Sequence, residues 1–241
     1  MVNQQQPVYL FAGGRGKTIF SSFTELGRVI SGLGKKRPEI ALVGAASLKD
    51  NRLIFLLMAG LIKSKCRCRV HRVAIAHPEA DIAKAKGLMQ KADAIFMSGG
   101  DAEEGMRILK EKKMDGFIRD LVKAGKPIMG MSAGTIMMSS EWVRWQDPDD
   151  DATAGLYPCL GLANVICDTH AEGDNWVELK AALQLKPDGA VGYGIPSGAY
   201  LKAYPDGQLE AKAGAVVRYA RMNGKTERLT DLLPGNQSEK L

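Results

Sequence analysis

Lys126-Pro127-Ile128-Met129-Gly130-Met131-Ser132-Ala133-Gly134-Thr135-Ile136-Met137-Met138 reads as a short buried strand, a one-residue corner and a helix. The corner fits Gly-x-Ser-x-Gly, with Ser132 at its apex. A sharp strand-to-helix turn needs small residues at 130 and 134, because a side chain there would meet the returning backbone. Such a turn lifts the serine hydroxyl above the sheet, beside the unpaired N–H groups of a helix start. Those N–H groups, Ala133 first, can bind a developing oxyanion. Gly-Ser-Gly corners also occur as plain turns. The strand before the corner and the helix after it are what favour a nucleophile.

The residues upstream repeat the same alternation of strand and helix. Pro7 to Ala12 is apolar and runs into Gly13-Gly14-Arg15-Gly16, then a helical pattern through Phe20, Phe23, Leu26 and Ile30. Glu39 to Ala45, Val70 to Ala76 and Ala94 to Met97 read as further strands. Helices are expected from an Asp50 cap to Ile62, largely buried, and within Pro78 to Lys91, from Ala102, and over Asp115 to Ala124. Continuous apolar strands separated by helices predict an α/β fold with a mostly parallel, doubly wound sheet. Downstream, Glu141 to Gly155 is polar and is expected to be a loop. Asn164 to Cys167 reads as a strand that delivers Asp168-Thr169-His170, and Trp176 to Leu183 as a helix. A small antiparallel extension follows: Ala190 to Ile195, Ala199 to Ala203, a turn at Pro205-Asp206-Gly207, then Ala215 to Tyr219. The expected organisation is one domain over residues 1–241, frayed past Leu233.

The 241 residues are 45% hydrophobic, enough for a sizeable core. No charged start precedes a long apolar run. The longest such run, Leu53 to Ile62, is about half of what a bilayer crossing needs, so neither a secretory leader nor a membrane partner is expected. Four cysteines in a chain this long do not form a disulfide framework, which points to reduced thiols and a cytoplasmic location. The net charge of +6 gathers around Lys35-Lys36-Arg37 and Lys63 to Arg72. No aromatics are interleaved there to stack bases, so a solvated surface is expected rather than a nucleic-acid site.

A serine nucleophile needs a base, and the base needs an orienting acid. Of three histidines, His71 lies within a strand pattern and His77 precedes Pro78. His170 stands 38 residues after Ser132, just past a strand end, where open parallel sheets bind ligands. It is the best base. An acid between serine and histidine can come from Glu141, Asp147, Asp149, Asp150 or Asp151, and spacing does not choose among them. A second oxyanion donor is expected from Gly99-Gly100, whose backbone can approach a substrate closely.

The ordered set Ile95-Phe96-Met97-Ser98-Gly99-Gly100-Asp101, Gly130-Met131-Ser132-Ala133-Gly134, Asp168-Thr169-His170 and Gly194-Ile195-Pro196-Ser197-Gly198-Ala199 resembles the dipeptidase E and cyanophycinase family, the S51 peptidases. The resemblance spans about residues 7 to 220 and implies a fold like that of class I glutamine amidotransferases. It implies Ser132 as nucleophile, His170 as base, and oxyanion N–H groups at Ala133 and around Gly100. It also implies Asp147 as the acid, by its distance from the serine, with a position nearer Asp150 in cyanophycinase-like members. The expected substrate is a small peptide or isopeptide, with Gly99, Asp101 and Glu172 beside it. No metal or organic cofactor is implied, and a homodimer is one expectation for the assembly.

The chain also departs from the family pattern. The family usually carries an aromatic and then arginines after the histidine, which can grip a substrate carboxylate. Here Ala171-Glu172-Gly173-Asp174-Asn175-Trp176 is acidic, and Ser197 stands where a glutamate is frequent. Glu172 and Asp174 can instead meet an amine or a basic side chain. Two rival readings follow from other residues. Phe11 to Thr18 approaches a phosphate-binding loop but lacks its first glycine. A catalytically silent binding protein would keep the fold without the chemistry. Cysteine-based amidotransfer is disfavoured because the apex residue is Ser132. Cys159, Cys167 and the methionines flanking the elbow read as packing, and Cys66-x-Cys68 without a second pair is a weak metal signal.

Overall fold

Apolar runs become strands here because both faces of the sheet are covered. The computed structural model describes residues 5–14, 16–47, 51–147 and 150–235, and does not describe the side chain of Asp151. Asp50, Asp149 and Arg15, which entered the sequence reading, lie outside the described residues, as does the end of the tail. The first half runs β1 (Val8–Phe11), α1 (Lys17–Ser31), β2 (Glu39–Val43), α2 (Arg52–Lys65), β3 (Arg69–Val73), α3 (Ile82–Lys91), β4 (Ala94–Met97), α4 (Ala102–Glu111), α5 (Met114–Lys123), β5 (Ile128–Met131) and α6 (Ala133–Met138). Strands β3-β2-β4-β5-β1 are mutually parallel in one sheet.

Alternate residues of each strand enter different cores. Leu10, Val43, Ile95, Met97 and Ile128 pack on one side with Met89, Leu109 and Met137 of the helices. Phe11, Leu42, Phe96 and Met129 pack on the other with Phe23, Leu26 and Ile62. This division is the period-two geometry of a strand read from both faces. Both cores contribute at the usual ~25 cal/mol per Å² of buried apolar surface.

The second half runs β6 (Glu141–Trp145), β7 (Ala154–Pro158), β8 (Ile166–Thr169), α7 (Val177–Gln184), β9 (Val191–Ile195), β10 (Tyr200–Ala203), β11 (Leu209–Lys212), β12 (Val216–Met222) and β13 (Lys225–Leu232). β10 and β11 extend the main sheet antiparallel beyond β1. β13-β12-β9-β8 form a second sheet, in which β8 and β9 are parallel. The architecture is therefore mixed α/β around a large, mostly parallel sheet with extra antiparallel strands at the C-terminal end.

Two expectations need correction. The stretch 141–155 is not simply a loop: β6 and β7 pair antiparallel, with Trp142 opposite Tyr157. Charged Glu141 and Arg144 masked the buried Trp142 and Val143 between them. Helix α2 is not largely buried. Only Ala59 and Ile62 are buried in it, while Leu53, Leu56 and Leu57 are 64%, 54% and 61% exposed. It lies on one face of the sheet, so the leucines on its outer side have nothing to cover them. Its start is capped by Asn51, whose side chain accepts from the Leu53 and Ile54 N–H groups.

Candidate active site

The corner after β5 holds Ser132 at φ 56°, ψ −126°, a region that L residues rarely occupy. Such strain costs about 1–3 kcal/mol and persists only where the surroundings fix it. Here the first strand does so. The Ser132 N–H donates to the Phe11 carbonyl at 3.0 Å, and the Thr135 hydroxyl donates to the same oxygen at 2.8 Å. The glycines on either side leave room for the turn: a Cβ on Gly130 would lie 2.6 Å from the Gly134 carbonyl oxygen.

The second sheet brings a histidine to this corner. His170 follows β8 at φ 46°, and its N–H donates to the Ile195 carbonyl of β9 at 3.0 Å. Its Nε2 lies 2.8 Å from Ser132 Oγ. Three distant segments thus meet: the elbow, the strand end of β8, and the turn after β4. In that last turn, Gly100 packs on Ala46, where a Cβ would come within 1.9 Å of the carbonyl oxygen. Gly99 packs against Ser132 itself, where a Cβ would be 3.1 Å from the serine Cβ.

A cavity of about 570 Å³ opens beside Ser132 and His170, and Gly100, Asp101 and Ala133 line it with them. Asp101 also caps α4, accepting from the Glu104 N–H at 2.9 Å. Two other expected residues stand elsewhere. Asp147 follows β6 and does not line the cavity; its N–H donates to the Thr153 hydroxyl at 3.0 Å. Glu172 turns away to accept from the Ser197 N–H at 2.5 Å.

Trp142, Arg144 and Trp145 of β6, Tyr157 of β7, Asp168 and Glu178 complete the walls, none of them assigned to the site from sequence, together with Asp174, which was. Arg144 pairs with Glu103 at 2.7 Å. Asp168 is 4% exposed. Its Oδ1 accepts from the Thr169 N–H at 2.7 Å, and its Oδ2 has no hydrogen-bond partner among the described residues. Burial pushes this carboxyl up to about 7; the Thr169 N–H and, more weakly, the Leu179 N–H pull the other way, and Glu178 and Asp174 add to the rise. Burial also raises Glu178, and Asp174 raises it further. The strand signature of β6 was the missed clue to the aromatic wall. Asp168 was visible as part of Asp168-Thr169-His170, but burial cannot be read from a triplet.

All four cysteines are free, and burial raises the Cys159 and Cys167 thiols, in keeping with packing roles. Among the described residues no group of three or more His, Cys, Asp or Glu is arranged to hold a metal ion, and no helix is long and apolar enough to cross a membrane.

The family model described as peptidase family S51 matches residues 10–208. The chain belongs to that family. In overall fold it is similar to a peptidase from an acI-B1 Actinobacterium, with a TM-score of 0.71 at 17% identity over 99% of this chain and 98% of the other. It is likewise similar to a putative peptidase E protein from Listeria monocytogenes EGD-e, with a TM-score of 0.63 at 17% identity over 93% and 99%. Part of the chain is also similar to the pyridoxal 5'-phosphate synthase subunit PdxT of Halorubrum lacusprofundi, at 32% identity over 107 residues, 43% of this chain and 49% of the relative. The same subunit from Halobacterium salinarum is 29% identical over 119 residues, 48% of this chain and 54% of the relative. The chain spans about half the length of these curated relatives.

Proposed function

We propose that this protein hydrolyses a small peptide or isopeptide bond in the manner of the dipeptidase E and cyanophycinase enzymes. The observation that carries the reading is the 2.8 Å contact between Ser132 Oγ and His170 Nε2 at a strained elbow. In the proposed reaction Ser132 Oγ attacks the scissile carbonyl carbon as His170 Nε2 takes its proton. The tetrahedral oxyanion is held by the Ala133 and Gly100 N–H groups, both at the cavity wall. His170 then passes the proton to the leaving amine, and water repeats the sequence on the acyl-enzyme. Asp147 is the proposed orienter of the imidazole. Its support is its place just after β6, the strand whose aromatic residues line the cavity.

A fluorophosphonate probe tests the core of this reading. It should label the wild-type protein on Ser132 and leave Ser132→Ala unlabelled. A panel of dipeptides and isoaspartyl peptides then finds the substrate. Absence of labelling in the wild type would favour a silent binding protein on the same fold.

A further inference from the structure

Resting on the hydrolase reading, we propose that the cavity beside Ser132 takes a cationic group of the substrate, a primary ammonium or a guanidinium, against Asp168, Asp174 and Glu178. The charges of the wall argue for it. Five carboxyl groups line the cavity, with Arg144 as their basic companion, and Arg144 is engaged with Glu103. Asp101 is occupied as the cap of α4. That leaves Asp168 at depth, with Asp174 and Glu178 nearer the solvent, and no Lys or Arg other than the engaged Arg144 among the lining residues to balance them.

A second observation points to a missing donor. Asp168 is more than nine-tenths buried, lines the cavity, and keeps one carboxyl oxygen without a hydrogen bond among the described residues. An unmatched buried acceptor costs about 1–3 kcal/mol, and an ammonium or guanidinium brings several N–H donors at once. Burial is the main cause of the raised Asp168 and Glu178 carboxyls, and repulsion from the negative charge beside them raises both further. A cation between them would relieve that repulsion.

The remaining wall suits an organic cation rather than a metal ion. Trp142, Trp145 and Tyr157 line the same space, and aromatic rings attract ammonium and guanidinium groups. The described acids are not arranged as a metal cage. At about 570 Å³ the cavity falls within the usual ~300–1,000 Å³ of small-ligand sites.

The test is protection of Ser132 from a fluorophosphonate. N-acetyl-argininamide, N-acetyl-lysinamide and leucinamide are the cationic competitors, with N-acetyl-leucinamide as the neutral control. At equal concentration at least one cationic competitor should slow labelling tenfold more than the control does. Asp174→Asn, on an exposed turn, and Glu178→Gln, at an exposed position in the first turn of α7, should each bring that ratio close to one. Labelling that all four compounds slow equally would overturn the cationic subsite and leave the hydrolase reading standing. Protection that survives both substitutions would overturn the assignment to these carboxyls. No labelling at all would instead sink the hydrolase reading beneath it.

Discussion

Gly134 packs against Met97 so closely that a Cβ on it would lie 2.2 Å from the Met97 carbonyl oxygen. The helix after Ser132 can therefore sit on the turn after β4 only if residue 134 has no side chain. Gly134→Ala should push α6 away from β4 and misplace Ser132. Overpacking of this kind costs about 1–3 kcal/mol. The expected result is a Tm lower by several degrees and a fluorophosphonate labelling rate reduced at least tenfold. A variant that keeps both would show that the elbow tolerates movement.

Ser132→Ala and His170→Ala should each lower kcat on the order of a thousandfold or more on whichever peptide the panel identifies. The double variant should be little worse than either single one, because the two groups act as a unit. Activity surviving either change would refute the mechanism. The same kinetics with Asp147→Asn test the orienting acid, for which a loss in kcat with KM little changed is expected.

Asp168 makes stability depend on pH. Its carboxyl is pushed up to about 7 from an ordinary 3.8, burial being the main cause. Between about pH 4 and 7 the folded protein holds a proton that the unfolded chain has released, so stability falls as pH rises through that window. Asp168→Asn keeps an oxygen for the Thr169 N–H and removes the titration. At pH 8 the variant should be more stable than the parent by a few kcal/mol, and the margin should vanish at pH 4. Equal margins at both pH values would show that this carboxyl is not the titrating group.

Thr135→Val removes one of the two hydrogen bonds that the elbow makes to the Phe11 carbonyl. Because the Ser132 N–H still satisfies that oxygen, the cost should be modest, about 1 kcal/mol in urea unfolding. A loss of 3 kcal/mol or more would mean that the corner comes apart from the first strand.

The two sides of α2 should respond oppositely. Ile62→Ala, at a fully buried position, should cost about 2–5 kcal/mol. Leu57→Gln, at a 61% exposed position, should change stability by no more than about 0.5 kcal/mol. Comparable losses in the two variants would show that something covers the leucine face in solution.

What could be read in advance followed the physics of periodicity and local turns. Strands β1, β4 and β5 are short buried runs, and Gly130-x-Ser132-x-Gly134 announces its corner through steric demand alone. The pairing of Ser132 with His170 was legible because both fall at strand ends. The rest depended on packing. β6 hid behind Glu141 and Arg144, and β13 behind a run of polar residues from Lys225 to Asp231. The outward face of α2 could not be inferred, since its leucines look alike on every side of the helix. The depth of Asp168 and the company of Glu178 arise only when β8, α7 and β6 come together.

His170 takes its main-chain anchor from Ile195, far beyond the Ser132 corner in the chain. During synthesis the serine can therefore be shaped long before its partner is held in place. A nascent chain that stops short of β9 would lack that anchor for His170. The contact between Ser132 and His170 is thus completed by a strand that is made late.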